Sequence, residues 1–202
     1  MNIGVLASHE GTTLQAVLDA CAAGTVPARV ALVVSNNAAS GALRRARLAN
    51  IPALHLSGQT HPQSTSLDRA IATALEQHHV DLVLLAGYMK KLGPLTLGRF
   101  GGRVINTHPA LLPRHGGLGL YGSRVHAAVL AAGERESGAT IHLVDADYDT
   151  GPIVAQVSVP VAPQDTAETL AARVQRAERE LLVGVLRDLA AGTRRLPAPG
   201  AR

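Results

Sequence analysis

The chain has no tryptophan, one phenylalanine and three tyrosines, so it offers few flat rings on which single-stranded bases would stack. Its formal net charge of +4 and isoelectric point near 9.8 therefore do not make a nucleic-acid face. The arginines are scattered, and only Arg44, Arg45 and Arg47, and Arg194 and Arg195, fall close together; that balance suits anionic small molecules better than a polyanion. A lone cysteine, Cys21, excludes an internal disulfide and a cysteine-based zinc cluster, and it reads as a small core residue of the first helix in a reducing compartment. No apolar run reaches membrane-spanning length, and Met1-Asn2-Ile3-Gly4 leads into a strand without the basic-then-apolar plan of a signal peptide. The expectation is a cytoplasmic protein of small-molecule substrates, with no nucleic-acid or membrane partner, as a monomer or a homodimer.

What is present is hydrophobic patterning. The 202 residues are 47% hydrophobic and 17% charged, enough for one sizeable core. Short apolar strands alternate with periodic helices: strand Ile3 to Ala7, helix Leu14 to Ala22, strand Val30 to Ser35, helix Ala42 to Ala49, strand Ala53 to Leu56, helix Leu67 to Gln77 and strand Leu82 to Ala86. Uninterrupted apolar strands of this kind belong to parallel sheets covered on both faces. The order predicts an α/β fold with a doubly wound, mostly parallel sheet and a Rossmann-like N-terminal half. Further on come a Gly-rich stretch at 116–122, a helix from Ser123 to Ala132, strands Ala139 to Val144 and Ile153 to Val159, and a long helix from Thr166 to Ala191 begun by the capping pair Asp165 and Glu168. Residues 1–191 read as a single domain and 192–202, with Pro197 and Pro199, as a disordered tail.

Ligands of such sheets bind beyond the carboxyl ends of the strands, where three segments converge: Ala7-Ser8-His9, Ala86-Gly87-Tyr88-Met89 and Asn106-Thr107-His108. The last directly follows the apolar run Arg103-Val104-Ile105. In extended chain, Asn106 and His108 point to one face. An amide that donates to a developing oxyanion beside an imidazole that carries a proton is the pairing acyl transfer needs. Either residue alone reads as well as a strand-end turn former satisfied by backbone. The whole run Asn106-Thr107-His108-Pro109-Ala110-Leu111-Leu112-Pro113 is more specific: it resembles the signature of the folate-dependent formyltransferases, and Asp149-Thr150-Gly151-Pro152 resembles that family's second catalytic element.

The resemblance runs to about Leu186. It implies the formyltransferase fold and transfer of a formyl group from 10-formyltetrahydrofolate, as co-substrate and without a metal, to the amine of 5-phosphoribosylglycinamide. A sugar-nucleotide formyltransferase and a catalytically silent folate- or nucleotide-binding module are the alternatives. Catalysis is implied for Asn106, His108 and Asp149; the carboxylate would raise the histidine pKa and fix its ring. Folate contacts are implied for Met89, Lys90, Lys91, Leu92, Asn106, Asp145 and Ala146. In that family an arginine commonly follows the third strand, and none stands between Ser57 and Ser66 here. His142, on the neighbouring strand, reads as a structural histidine.

The turn Ser8-His9-Glu10-Gly11-Thr12-Thr13 ends at a helix start, where Gly11 gives the backbone room, Thr12 reads as N-cap and free N–H groups favour an anion. Many helices start this way with nothing bound, and the resemblance makes Gly11, Thr12 and Thr13 the phosphate-binding residues. His9 and Thr13 depart from the family's usual glycine and asparagine, and Glu10 is expected to face solvent. On the last helix, Leu170, Val174, Ala177, Leu181, Leu182 and Val185 form one apolar arc at 100° per residue, and Glu178 is the only charge inside it. A lone carboxylate there is costly unless something cationic meets it. Spacing alone leaves an internal arginine and a cationic ligand both open; the resemblance makes Glu178 the partner of the substrate amine.

Overall fold

The structure, a computed structural model, describes residues 1–198. Its elements run β1 (Asn2–Leu6), α1 (Thr12–Ala22), β2 (Arg29–Ser35), α2 (Gly41–Leu48), β3 (Ala53–His55), α3 (Ser64–Gln77), β4 (Leu82–Leu85), α4 (Pro94–Phe100), β5 (Val104–His108), α5 (Ser123–Ala131), β6 (Glu136–Leu143), β7 (Ile153–Pro160) and α6 (Ala167–Ala190). The strands form one seven-stranded sheet in the order β3-β2-β1-β4-β5-β6-β7. Pairings from β3 through β5 are parallel, and β5–β6 and β6–β7 are antiparallel.

Alternation along β4 explains its unbroken apolar sequence. Leu82 and Leu84 join the core shared with Leu14, Val17, Leu43 and Leu182, whereas Val83 and Leu85 join the opposite core with Ile71, Leu75 and Phe100. Helices α1, α2 and α6 thus cover one face, and α3 and α4 the other. The strand order reverses between β1 and β4, and the crevice of such a sheet opens at that switch point.

Four local readings are corrected. Helix α4 was not anticipated: it has seven residues, includes Gly98 and starts at Pro94, too short for its periodicity to register. Its start is satisfied from far away in sequence by the buried Asp68, whose carboxylate accepts from Leu95 N at 2.7 Å, Thr96 N at 3.0 Å and Thr96 Oγ1 at 2.6 Å. At α1 the N-cap is Gly11, in the left-handed region at φ 70°, with Thr12 already inside the helix. At α6 the capping box is Thr166 with Thr169, each side chain accepting from the other's backbone N–H; Asp165 instead binds Arg173 and Ala162 N. Residues 192–198 do not trail away. Thr193 N and Arg194 N return to Asp188 O, the Arg194 guanidinium donates to Val154 O at 2.9 Å, and Leu196 packs against the core; Pro199 to Arg202 lie outside the described residues. No helix among those described is long and apolar enough to cross a membrane.

Candidate active site

A cleft of about 820 Å³ opens at the carboxyl edge of the sheet. Strand β5 delivers Asn106 and His108 to it on one face, as alternation requires, and turns Thr107 to the other. Antiparallel pairing sets Asn106 opposite His142 and His108 opposite Thr140. The Asn106 amide lies 3.1 Å from His142 Nε2, and the other ring nitrogen, Nδ1, donates to Leu143 O at 2.8 Å. His142 Nε2 is also 3.4 Å from Asp149 Oδ1, and Asp149 Oδ2 is 3.5 Å from His108 Nδ1. With Nε2 bare, His142 accepts from the Asn106 amide; with Nε2 protonated, it donates to Asp149. One ring nitrogen therefore links the three residues. His142, expected to be merely structural, is part of the cluster, and the strand register that places it opposite Asn106 is not written in its local sequence.

Asp149 is aimed by its backbone. It adopts φ 57°, a left-handed conformation that Asp tolerates better than most residues, and Gly117 N donates to its Oδ2 at 2.9 Å. Gly151 follows because a Cβ there would lie 1.9 Å from Leu143 O. Burial pushes the Asp149 carboxyl up, but the His142 side chain, the charge of His108 and the Gly117 N–H together hold it below the usual carboxylate range.

His108 is 4% exposed. Its Nε2 donates to His115 O at 2.8 Å, so loop 114–122 sits against the ring. That loop is tethered through Arg114 and His115, which meet Glu134 at 2.8 and 3.1 Å. The run after His108 is pinned by Thr140, whose Oγ1 donates to Ala110 O at 2.6 Å and accepts from Leu112 N at 3.1 Å. The expected direction of the His108 pKa is corrected. Burial lowers it, and Asp149, though it acts upward, does not reverse the net shift.

On the Thr107 side of β5, Glu178 is 7% exposed and makes no ion pair with an arginine among the described residues. Its Oε1 accepts from Thr107 Oγ1 at 3.2 Å and Thr13 Oγ1 at 3.3 Å. Burial raises its pKa, with the two hydroxyls and the charge of Arg179 opposing. The Thr13 hydroxyl is thus spent on Glu178 and is not free for a phosphate. What remains for an anion there is the Thr12 side chain and the N–H groups of Thr12, Thr13 and Leu14, which precede the first helical bond from Gln15 N to Gly11 O at 2.9 Å. Glu10 faces solvent and Arg44, 3.6 Å away, yet still edges the cleft. Gly11 also admits the start of α2, because a Cβ there would lie 2.8 Å from Ala42 Cα.

Of the residues expected around a folate, Met89, Lys90 and Asn106 line the cleft, with Tyr148 beside them. Four residues expected there do not line the cleft. Leu92 is buried in the core under α3 and α4. Lys91 reaches across to Asp147 at 3.4 Å and over the Tyr148 ring at 5.2 Å, tying the two lips together. Asp145 and Ala146 are exposed, and Asp145 shapes its loop by accepting from Asp147 N and Thr150 Oγ1. Met89 N is taken by Ser8 Oγ at 2.8 Å, which fastens the ends of β1 and β4 together.

Comparison with known proteins agrees with this geometry. The family model described as formyl transferase matches residues 1–186. Phosphoribosylglycinamide formyltransferase of Haemophilus influenzae is 39% identical over 194 residues, covering 96% of this chain and 89% of the relative. That of Mycobacterium tuberculosis is 45% identical over 186 residues, covering 92% and 83%. Glycinamide ribonucleotide transformylase 1 from Symbiobacterium toebii superposes with a TM-score of 0.89 at 41% identity, covering 95% of this chain and 88% of that one. A formyltetrahydrofolate deformylase from Pseudomonas syringae gives 0.83 at 26% identity, and the chain covers 61% of it. By the extent of these matches and the Asn106–His108–Asp149 constellation they enclose, the chain belongs to the formyl transferase family.

Proposed function

We propose that the chain transfers the formyl group of 10-formyltetrahydrofolate to the amine of 5-phosphoribosylglycinamide, giving the formylglycinamide ribonucleotide and tetrahydrofolate in purine synthesis. The observation that carries this reading is the continuity of the cleft. One cavity joins an anion-favouring helix start, a buried carboxylate at Glu178, and the Asn106, His108 and Asp149 cluster. Their order matches a substrate with a phosphate at one end and an amine at the other, and the names of the relatives point the same way.

In this reading Glu178 receives the substrate amine, and the N–H groups of Thr12, Thr13 and Leu14, at the helix start that follows Gly11, take the phosphate. Met89, Lys90 and Tyr148 hold the folate. The amine attacks the formyl carbon, a C–N bond forms, and negative charge develops on the formyl oxygen, towards which Asn106 and His108 offer N–H groups. The bond to the folate nitrogen then breaks. The proton lost by the amine passes to that nitrogen through His108 or through water held by Asp149. For His108 to use Nε2, the His115 carbonyl must give way, so substrate exchange and movement of loop 114–122 are coupled.

The test is turnover of 10-formyltetrahydrofolate with three acceptors: phosphoribosylglycinamide, an amino-sugar nucleotide and water. Turnover with the first alone is expected. Preference for the amino sugar reassigns the substrate, release of formate alone makes the chain a hydrolase, and binding without turnover with any acceptor makes it a silent module.

A further inference from the structure

His126 is buried in the cleft wall and takes no part in the chemistry above. It lies on α5, is 1% exposed, and its Nδ1 has no hydrogen-bond partner. The neighbours that share its buried side, Val125 and Val129, are both 0% exposed, so an aliphatic residue at 126 would fill the same space without stranding a nitrogen. The ring nevertheless lines the cleft. Helix α5 packs against α6, the helix that brings Glu178. His126 is also near enough to His108 for the two rings to interact: burial first, and then the charge of His108, work against its protonation. A neutral imidazole, with one donor and one acceptor, is thus held beside both the carboxylate helix and the strand of Asn106 and His108.

We infer that His126 is a further substrate-orienting residue, whose ring hydrogen-bonds the glycinamide arm of the amine substrate and aligns it for attack. That arm offers a carbonyl and N–H groups, the complement of a neutral imidazole. A neutral ring also avoids repelling the amine while Glu178 receives it. The inference rests on the functional reading above.

The test pairs His126→Leu with His126→Asn and His126→Gln, measured beside the wild-type enzyme with both substrates. His126→Leu is expected to keep or raise the thermal midpoint. It should raise the apparent KM for phosphoribosylglycinamide about tenfold or more, and leave that for 10-formyltetrahydrofolate within about twofold. One of the two amide variants should recover most of the loss, because each restores a donor and an acceptor. An unchanged KM for the amine substrate in His126→Leu, or an equal loss with both substrates, overturns the inference. Should the variants fail to fold, ring nitrogen resonances of the wild-type protein decide. Those of His126 should shift on adding phosphoribosylglycinamide and not on adding folate, and their indifference to it overturns the inference. A wild-type enzyme that ignores phosphoribosylglycinamide overturns the functional reading, and this inference with it.

Discussion

Glu178, the one charge on the buried face of α6, is held by two threonine hydroxyls, Thr13 from α1 and Thr107 from β5, and forms no ion pair among the described residues. Burial of the carboxylate outweighs these two hydroxyls and the charge of Arg179, which is why its pKa is raised.

Glu178→Gln follows directly. The amide oxygen keeps both threonine bonds, so the variant should melt at the same temperature or higher near neutral pH. The sign follows from the raised pKa: ionising Glu178 costs more in the folded than in the unfolded protein, so its penalty is present above the folded pKa and fades as pH falls through the ordinary carboxylate value of about 4.5. Melting curves of the two proteins should therefore converge in acid. In the same variant the KM for the amine substrate should rise well beyond that for the folate. A large loss of stability, with both substrates affected alike, would mean an internal ion pair that the structure lacks.

Removing a donor at the β5 edge should strike the chemical step. Asn106→Ala and His108→Ala are each expected to slow it at least about a hundredfold, in line with about 2.7 to 4 kcal/mol for one oxyanion donor, while the fold survives. Rapid-quench measurement of the first turnover checks this.

Asp149→Asn should drop the His108 pKa still further, because burial then acts without its main opponent. It should also remove one part of the acid sensitivity. The Asp149 carboxyl is held low in the folded protein, so its stabilising share is present above the ordinary carboxylate pKa and lost as pH falls through the folded value. Histidine titration by NMR and melting between neutrality and strong acid provide the two readouts.

Gly151→Ala tests the geometry that aims Asp149. With only 1.9 Å between the new Cβ and Leu143 O, the 145–152 loop must shift, and turnover should fall sharply even where far-ultraviolet circular dichroism is unchanged. Normal activity in this variant would show that the position of Asp149 is not critical.

The alternation of β1 to β4 with their helices was legible because a period of two and a period of 3.6 are properties of neighbouring residues. The same holds for Asn106 and His108, which share a face by local geometry, and for Glu178, a charge inside an apolar arc. Long-range matters were not legible. Asp68 caps α4 from another helix, His142 meets Asn106 only through the β5–β6 register, and Thr13 turns to Glu178 across most of the chain length. Leu92 follows Lys91 in a segment expected to wall the folate, yet the chain turns it into the core, and no local pattern announces that turn.

The most direct test of the account is a single turnover with enzyme in excess over 10-formyltetrahydrofolate carrying a ¹³C formyl label, in the presence of phosphoribosylglycinamide. The account predicts that the label appears on the glycinamide nitrogen in the wild-type enzyme and is slowed at least about a hundredfold by Asn106→Ala. Label recovered only as formate, or left on the folate, would contradict it.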